Sequence, residues 1–141
     1  MTLKQQFEKV MDESINMSLA TCVGDKPNVR VLTFAYDKNK SGKLFFATFK
    51  ENQKVKEFQQ NPNIACTPLP IDIESDVQVR IFGTVQKSNI TMAEIIEIIA
   101  QKFPSGAETL KNGGDMLDIY EVCFKEAYVT ICMGEAQLLT F

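Results

Sequence analysis

The sequence contains no histidine, and this absence excludes several classes of site. A chain without histidine has no Ser–His or Cys–His nucleophile pair, and it lacks the side chain that most often moves protons near neutral pH. The four cysteines form no Cys-x-x-Cys pair and lie in apolar or β-branched stretches, where a free cysteine acts as a small hydrophobe. We therefore expect no metal site, and we expect a cofactor to supply any redox chemistry.

Positive charge and long apolar segments are also scarce. The net charge of −3 argues against a nucleic-acid partner, which would require a basic face. No apolar run approaches the ~18 residues that cross a bilayer, and the first six residues lack the apolar segment of a signal peptide. There is no Gly-x-Gly-x-x-Gly loop for a dinucleotide. From these absences we expect a cytoplasmic protein without a membrane partner.

The composition is that of a globular protein, with 45% apolar and 23% charged residues. A chain of 141 residues is the usual size of one domain, so we expect a single domain over residues 1–141. No internal repeat or low-complexity segment is present.

Apolar periodicity and capping residues predict three helices and a further helical turn or two. A Thr2–Gln5 capping box starts a helix from Leu3 to about Asp12, and Asn52 is a good N-cap for a helix over Gln53–Gln59. Another capping box, Thr91–Glu94, starts a helix that Pro104 ends. Ser105 and Glu108 indicate one or two further turns.

Strand patterns are more numerous than helix patterns. In Val77–Lys87, the apolar Val77, Val79 and Ile81 alternate with polar residues, as in a strand with one buried face. The predicted strands are Ser18–Val23, Val29–Tyr36, Lys43–Phe49, Ile64–Thr67, Val77–Lys87, Leu117–Phe124, Ala127–Met133 and Gln137–Phe141. None is spaced as a βαβ crossover, so the fold class is mainly β, an antiparallel barrel with peripheral helices.

Several groups suited to phosphate occur close together between residues 27 and 58. Arg30 lies on one strand, Thr48 ends the next strand, and Lys54 lies in the first turn of the helix that follows. A guanidinium, a hydroxyl, an ammonium and a helix N-terminus together favour binding of a phosphate group. Arginine is used sparingly: the chain has two, Arg30 and Arg80, against thirteen lysines.

This block resembles the signature of the pyridoxamine 5′-phosphate oxidase-like FMN-binding split barrels. The resemblance implies a Greek-key-like antiparallel split barrel that binds FMN, with Arg30 and Lys54 on the phosphate. It further implies that Arg30, Val31, Leu32 and Thr33 line the ribityl chain and ring. Ala47 and Thr48 match the family's pair before the helix, Gln53 precedes the lysine, and Gln78 matches a glutamine at the pyrimidine side of the ring.

The same resemblance implies a homodimer with flavin sites at its interface. Apolar side chains on the outer faces of the strands would supply the second wall of each site, and Phe34, Phe46 and Phe82 are the candidates. No catalytic residue is identified.

The chain departs from the oxidases of this family at three places. Gln53 and Ala35 stand where the oxidases often carry basic residues. The last seven residues, Glu135–Phe141, lack the arginine that closes over the vitamin's phosphate in genuine pyridoxamine-phosphate oxidases. We therefore do not expect oxidation of pyridoxamine phosphate.

Three functions remain open from the sequence. The first is an FMN-dependent oxidoreductase that acts on a small molecule, with NADH or NADPH as electron donor. The second is a protein that binds a flavin, haem or deazaflavin for storage or sensing. Haem would need Tyr or Cys as its axial ligand, since histidine is missing. The third is an interaction module without a flavin.

Overall fold

A curled antiparallel sheet of eight strands forms the body of the protein, and four helices surround it. The computed structural model describes the whole chain, Met1–Phe141. The strands are β1 Asn16–Val23, β2 Lys26–Thr33, β3 Lys43–Phe49, β4 Asn63–Pro68, β5 Val77–Lys87, β6 Leu117–Cys123, β7 Glu126–Ile131 and β8 Gln137–Thr140. The helices are α1 Leu3–Glu13, α2 Gln53–Gln60, α3 Met92–Ala100 and α4 Pro104–Gly113, and a 3-10 turn follows at Gly114–Met116.

The sheet curls until its two ends meet. Its strand order is β2-β1-β4-β5-β6-β3, while β7 pairs with β5 and β8 with β7. Just after β2, Ala35 pairs with Phe45 of β3 through two backbone hydrogen bonds of 2.7 and 2.9 Å. The prediction of a mainly antiparallel β fold with peripheral helices is therefore confirmed.

Strand β5 divides its pairing between two partners on one edge. Its first half, Val77–Ile81, pairs with β7, and its last four residues, Thr84–Lys87, pair with β6. Gly83 lies at the changeover, where a Cβ atom would come within 2.4 Å of the Cys123 carbonyl oxygen. Only glycine fits there, because the backbone that runs from β6 to β7 approaches β5 too closely for a side chain.

The apolar residues form two clusters. The larger fills the interior of the curled sheet with nineteen buried residues, including Phe7 of α1 and Phe46 of β3. The smaller lies between the sheet and helices α3 and α4, and consists of Ala35, Phe45, Ile95, Ile99, Ala107 and Ile119. Phe34 and Phe46, which we expected on outer faces, are fully buried, and that prediction is wrong. Phe82 is 54% exposed, as expected.

The helix caps and the alternation in β5 are confirmed. Both predicted capping boxes form, at Thr2–Gln5 and at Thr91–Glu94. In β5 the apolar Val79 and Ile81 are buried, while the alternating polar residues Gln78 and Arg80 are exposed. No helix has the length and apolar character that crossing a bilayer requires.

The boundaries of several predicted elements are wrong, and two elements illustrate the reasons. The second strand begins at Lys26 and ends at Thr33, because the next residues leave β1 and cross to β3. Pro27 is tolerated within this strand because β2 lies at an end of the hydrogen-bonded order. Helix α4 has ten residues instead of one or two turns, and Pro104 occupies its N-terminal end.

Candidate functional site

Lys54 lies in the first turn of α2, beside the end of β3. The helix is capped by Asn52, whose side-chain oxygen accepts a hydrogen bond from the Lys54 backbone N–H at 3.3 Å. The Lys54 ammonium donates to the Thr48 hydroxyl at 2.8 Å and to the Asn52 side-chain oxygen at 3.2 Å. Lys54 takes part in none of the four ion pairs of the structure. An ammonium without a carboxylate partner at a helix N-terminus suits an anionic group.

The electrostatic environment of Lys54 links it to Arg30. Burial lowers the pKa of Lys54, the charge of Arg30 lowers it further, and Glu57 offsets part of the effect. The two cations that the sequence assigns to a phosphate are therefore close enough to repel each other. An anion between them would relieve this repulsion.

Arg30 extends toward the interior side of the sheet, where its guanidinium is largely enclosed. Its side chain is 18% exposed and forms an ion pair with Glu57 of α2. One of its terminal nitrogens, Nη1, also donates to the Thr21 hydroxyl at 3.0 Å and to the Leu19 carbonyl at 3.3 Å. These contacts fix the guanidinium against β1 and leave its remaining N–H groups for another acceptor.

A cleft of about 320 Å³ opens next to Lys54. Its polar end carries Thr48, Asn52 and Lys54, and its walls are largely apolar. The apolar residues that line it are Ala47, Phe49, Ile99, Phe103, Leu110 and Leu117. A cleft with a cationic end and apolar walls fits an amphipathic ligand whose anionic end lies at Lys54 and whose flat part lies against the hydrocarbon surface.

Helix α4 forms one wall of the cleft, and sequence reasoning missed this contribution. Gly106, Thr109 and Gly113 line the wall together with Leu110 of the same helix. A Cβ atom at Gly106 would come within 2.4 Å of the Phe103 ring, and one at Gly113 would come within 2.5 Å of the Leu117 side chain. Two glycines seven residues apart on one helix face were the signal in the sequence.

Four of the nine predicted binding residues line this cleft: Thr33, Ala47, Thr48 and Lys54. Arg30 and Leu32 lie on the inner side of β2, and Val31 is 58% exposed on the outer side. Gln53 is exposed on α2, and Gln78 is exposed on β5 opposite Thr130. The single chain therefore brings Thr33, Ala47, Thr48 and Lys54 together at the cleft, but neither Arg30 nor Gln78 lines it.

A second and larger cleft, of about 700 Å³, contains none of the predicted residues. It lies between the loop after β2 and helix α3, and polar and charged side chains dominate its lining. Lys102 lines it, but its ammonium donates to the carbonyls of Met11 and Ser14 and lies 4.2 Å from the centre of the Phe34 ring. Because these contacts occupy the ammonium, we assign Lys102 to the packing of α1 and not to a binding site.

The outer face of the sheet carries exposed apolar side chains around small residues. Ala20 of β1 lies between Val29 of β2 and Ala65 of β4, and Ala65 is paired with Phe82 of β5. Val29 and Phe82 are 62% and 54% exposed. We call this row of residues the outer apolar row. The small Ala20 and Ala65 lie at its centre, and the larger Val29 and Phe82 project from its two ends.

The sequence matches one protein-family model. The model is described as pyridoxamine 5′-phosphate oxidase-like, and the match covers residues 10–136. No curated protein sequence matches the chain.

Solved structures share the fold at low sequence identity. A Listeria innocua protein provisionally named a pyridoxamine 5′-phosphate oxidase is 18% identical, with a TM-score of 0.70 over 91% of this chain and 98% of that one. A NimC/NimA family protein of Clostridium acetobutylicum is 24% identical, with a TM-score of 0.65 over 99% and 92%. A haem-binding protein of Mycobacterium smegmatis is 10% identical, with a TM-score of 0.78 over 99% of this chain and 58% of that one.

Proposed function

The chain belongs to the pyridoxamine 5′-phosphate oxidase-like family, and from this premise we propose that it is an FMN-binding oxidoreductase acting on a small molecule. The observation that supports this most is the Lys54 ammonium, which has no carboxylate partner and lies at the polar end of an apolar cleft. The phosphate would lie between Lys54 and the free N–H groups of Arg30. The ring would lie against the apolar wall formed by β3 and α4.

FMN, when bound, supplies hydride and single-electron chemistry that no side chain of this protein provides. The protein's own residues bind and orient it. Thr48 and Asn52 hold the Lys54 ammonium at the phosphate end, and Phe103 and Leu110 exclude water from the ring end. A small substrate and a reduced nicotinamide, NADH or NADPH, would approach the side of the ring that the chain leaves open.

The outer apolar row supports the proposal of a homodimer. A second copy placed on this face would bury Val29 and Phe82 and complete the sites from outside. Gln78 is exposed on the same side of β5 as Phe82, so it would be available to the cleft of the other copy. Such an arrangement would account for a predicted site residue that lies outside the cleft of its own chain.

Binding of FMN to the apoprotein tests this function. We expect flavin absorbance and quenched flavin fluorescence to follow the protein in a titration, with FMN bound more tightly than riboflavin because only FMN carries the phosphate. Anaerobic addition of NADH or NADPH should then bleach the flavin absorbance. The proposal is wrong if FMN does not bind at high micromolar concentration while the fold remains intact.

A cofactor-binding role without turnover is the second candidate. One solved structure with this fold is named a haem-binding protein, which favours including haem among the ligands tested. Haem would need a tyrosine or cysteine ligand here, because the chain has no histidine. A Soret band that titrates to one haem per chain, together with absence of FMN binding, would favour this candidate over the first.

A further inference from the structure

Glu57 of α2 is buried, with 6% of its surface exposed, and it lies directly on Arg30. One of its carboxylate oxygens accepts hydrogen bonds from Arg30 and from the Thr21 hydroxyl, at 2.5 and 2.7 Å. The other accepts from the Asn28 side chain at 2.9 Å. Side chains from β1 and β2 thus hold this carboxylate in its charged form, and a hydrogen bond from Asn28 contributes most to lowering its pKa.

The position of Glu57 changes the charge of the phosphate site. Its spacing from Lys54 on α2 would permit an ion pair between them, but Glu57 pairs with Arg30 instead. The charge of Arg30 is therefore compensated within the protein, and that of Lys54 is not. Lys54, Arg30 and Glu57 together carry one net positive charge, whereas the two cations alone would carry two.

We propose that Glu57 sets the net charge of the anion site, and that its carboxylate lowers the affinity of the site for a dianionic phosphate. This inference rests on the proposed function, because it concerns the same phosphate. A phosphate monoester loses its second proton near pH 6, so FMN offers both forms around neutral pH. With Glu57 in place, Lys54 neutralises one charge of the phosphate. The second charge faces the guanidinium of Arg30, whose own charge is already compensated by Glu57.

The two cations have different roles at the anion site. Lys54 contributes charge, while Arg30 contributes directed N–H groups whose position Glu57 fixes. Glu57 positions the guanidinium of Arg30 through their ion pair. Its negative charge also lowers the affinity of the site for the dianionic phosphate. Removal of that charge should therefore strengthen the binding of FMN and leave riboflavin unaffected.

A series of four proteins tests this, with the ratio of riboflavin Kd to FMN Kd as the readout. The ratio isolates the phosphate, because effects on folding or on the ring act on both ligands. For Glu57→Gln we expect the ratio to rise about tenfold, and for Arg30→Met to fall about tenfold. The double variant R30M/E57Q keeps one net positive charge, and its ratio should return to within about threefold of the wild-type value.

The protonation state of the bound phosphate gives a second measurement. A ³¹P NMR titration of bound FMN should show the phosphate losing its second proton at a lower pH in E57Q than in the wild-type protein, because a negative neighbour has been removed. A purely structural role for Glu57 would not shift this titration. If the single variants do not fold, the double variant leaves no unpaired charge in the interior, and a ratio that differs tenfold or more from the wild-type value overturns the inference.

The outcomes distinguish the inference from the function on which it rests. Binding of FMN to the wild-type protein, with a ratio that is unchanged or lower in E57Q, overturns the inference alone. If neither the wild-type protein nor any of the variants binds FMN, the proposed function is wrong and the inference fails with it. If the ratio rises in E57Q and returns to the wild-type value in the double variant, the result supports the proposed function and the inference.

Discussion

Two half-buried lysines show how the partners of an ammonium decide its role. Lys102 donates to the main-chain carbonyls of Met11 and Ser14, and burial lowers its pKa to about 8. Main-chain carbonyls at a helix end cannot turn away, so this ammonium is committed to the fold. Lys54 donates to the side-chain oxygens of Thr48 and Asn52, which can rotate toward a ligand. Burial and the charge of Arg30 lower the pKa of Lys54, and an anion bound beside it would raise that pKa again.

Replacement of Lys54 by Met should weaken FMN by about tenfold to 150-fold, the effect of one charge-assisted hydrogen bond of about 1.5–3 kcal/mol. Riboflavin affinity should change little. Lys56→Met is the matched control, because Lys56 is exposed two residues later on the same helix. Fluorescence titrations with both ligands measure the effect. Equal losses for Lys54→Met and Lys56→Met would show that the general positive charge of α2, and not the Lys54 contact, attracts FMN.

Arg30→Ala is a poor probe of the phosphate when used alone. It would leave the buried Glu57 carboxylate without its cation, and unpaired buried charges are strongly destabilising. A loss of FMN binding in that variant would thus combine an effect on folding with an effect on the ligand. A single change at Arg30 should therefore be read from the ratio of riboflavin Kd to FMN Kd, or be made together with Glu57→Gln.

Glu121 of β6 gives the protein a specific sensitivity to acid. Burial opposes its ionisation, but hydrogen bonds from Lys43, Ser88, Cys123 and Gln86 outweigh this and lower its pKa to about 2. The stabilisation is complete above the ordinary glutamate pKa of 4.5 and is lost as the pH falls toward 2. Over that interval the loss is at most about 3 kcal/mol.

Glu121→Gln should flatten this part of the stability profile. We expect it to destabilise the protein by about 2 kcal/mol at pH 7, because the Lys43 ion pair is lost, and to change little further between pH 4.5 and 2. Urea unfolding across this pH range measures both effects. A wild-type profile that is already flat there would contradict the assignment.

At the scale of elements, helix α4 is the part that sequence patterns described least well. Gly106 and Gly113 weaken a helical pattern, since glycine costs about 1 kcal/mol in a helix interior. In the structure these glycines make room for Phe103 and Leu117, so packing outweighs propensity. The capping boxes and the alternation in β5 were predictable because they depend on residues close in sequence.

Gly106→Ala tests this account of α4. The added methyl group would meet the Phe103 ring at 2.4 Å, so the ring must shift into the cleft or away from the helix. Overpacking costs about 1–3 kcal/mol and the gain in helix propensity is about 1 kcal/mol, so we expect a net loss of up to about 2 kcal/mol and weaker FMN binding. Asn112→Ala, at an exposed position of α4, gains propensity without a clash and should stabilise the protein slightly.

The contact of Lys54 with Thr48 and Asn52 was also predictable from sequence, because the three residues lie within seven positions of one another. The pairing of Arg30 with Glu57 was not, since the two are 27 positions apart and only the packing of α2 against β1 and β2 joins them. The path of residues 34–36 was missed for a similar reason. These residues continue the apolar pattern of β2, but Ala35 pairs with the distant β3 and not with β1.

At the scale of the whole molecule, the outer apolar row is the face on which we propose that two copies of the chain associate. Phe82→Asp should convert a homodimer into a monomer, because each copy would lose an aromatic contact worth about 2 kcal/mol and a two-fold interface counts it twice. The combined loss corresponds to at least about 500-fold in dimer affinity. Sedimentation velocity at micromolar concentration measures it. Ala93→Asp on α3 adds the same charge at another exposed position and should leave the sedimentation coefficient unchanged.

The junction of the two sheet ends at Ala35 and Phe45 should open more readily than the rest of the sheet. Two backbone hydrogen bonds join these ends, whereas β1 and β2 are paired over eight residues. The amides of Ala35 and Phe45 should therefore exchange with deuterium sooner than those of β1, and the intervening loop should be cut first by a protease. Thr33 and Thr48 line the cleft from either side of this junction. A ligand in the cleft would bridge the junction and slow both exchange and cleavage there.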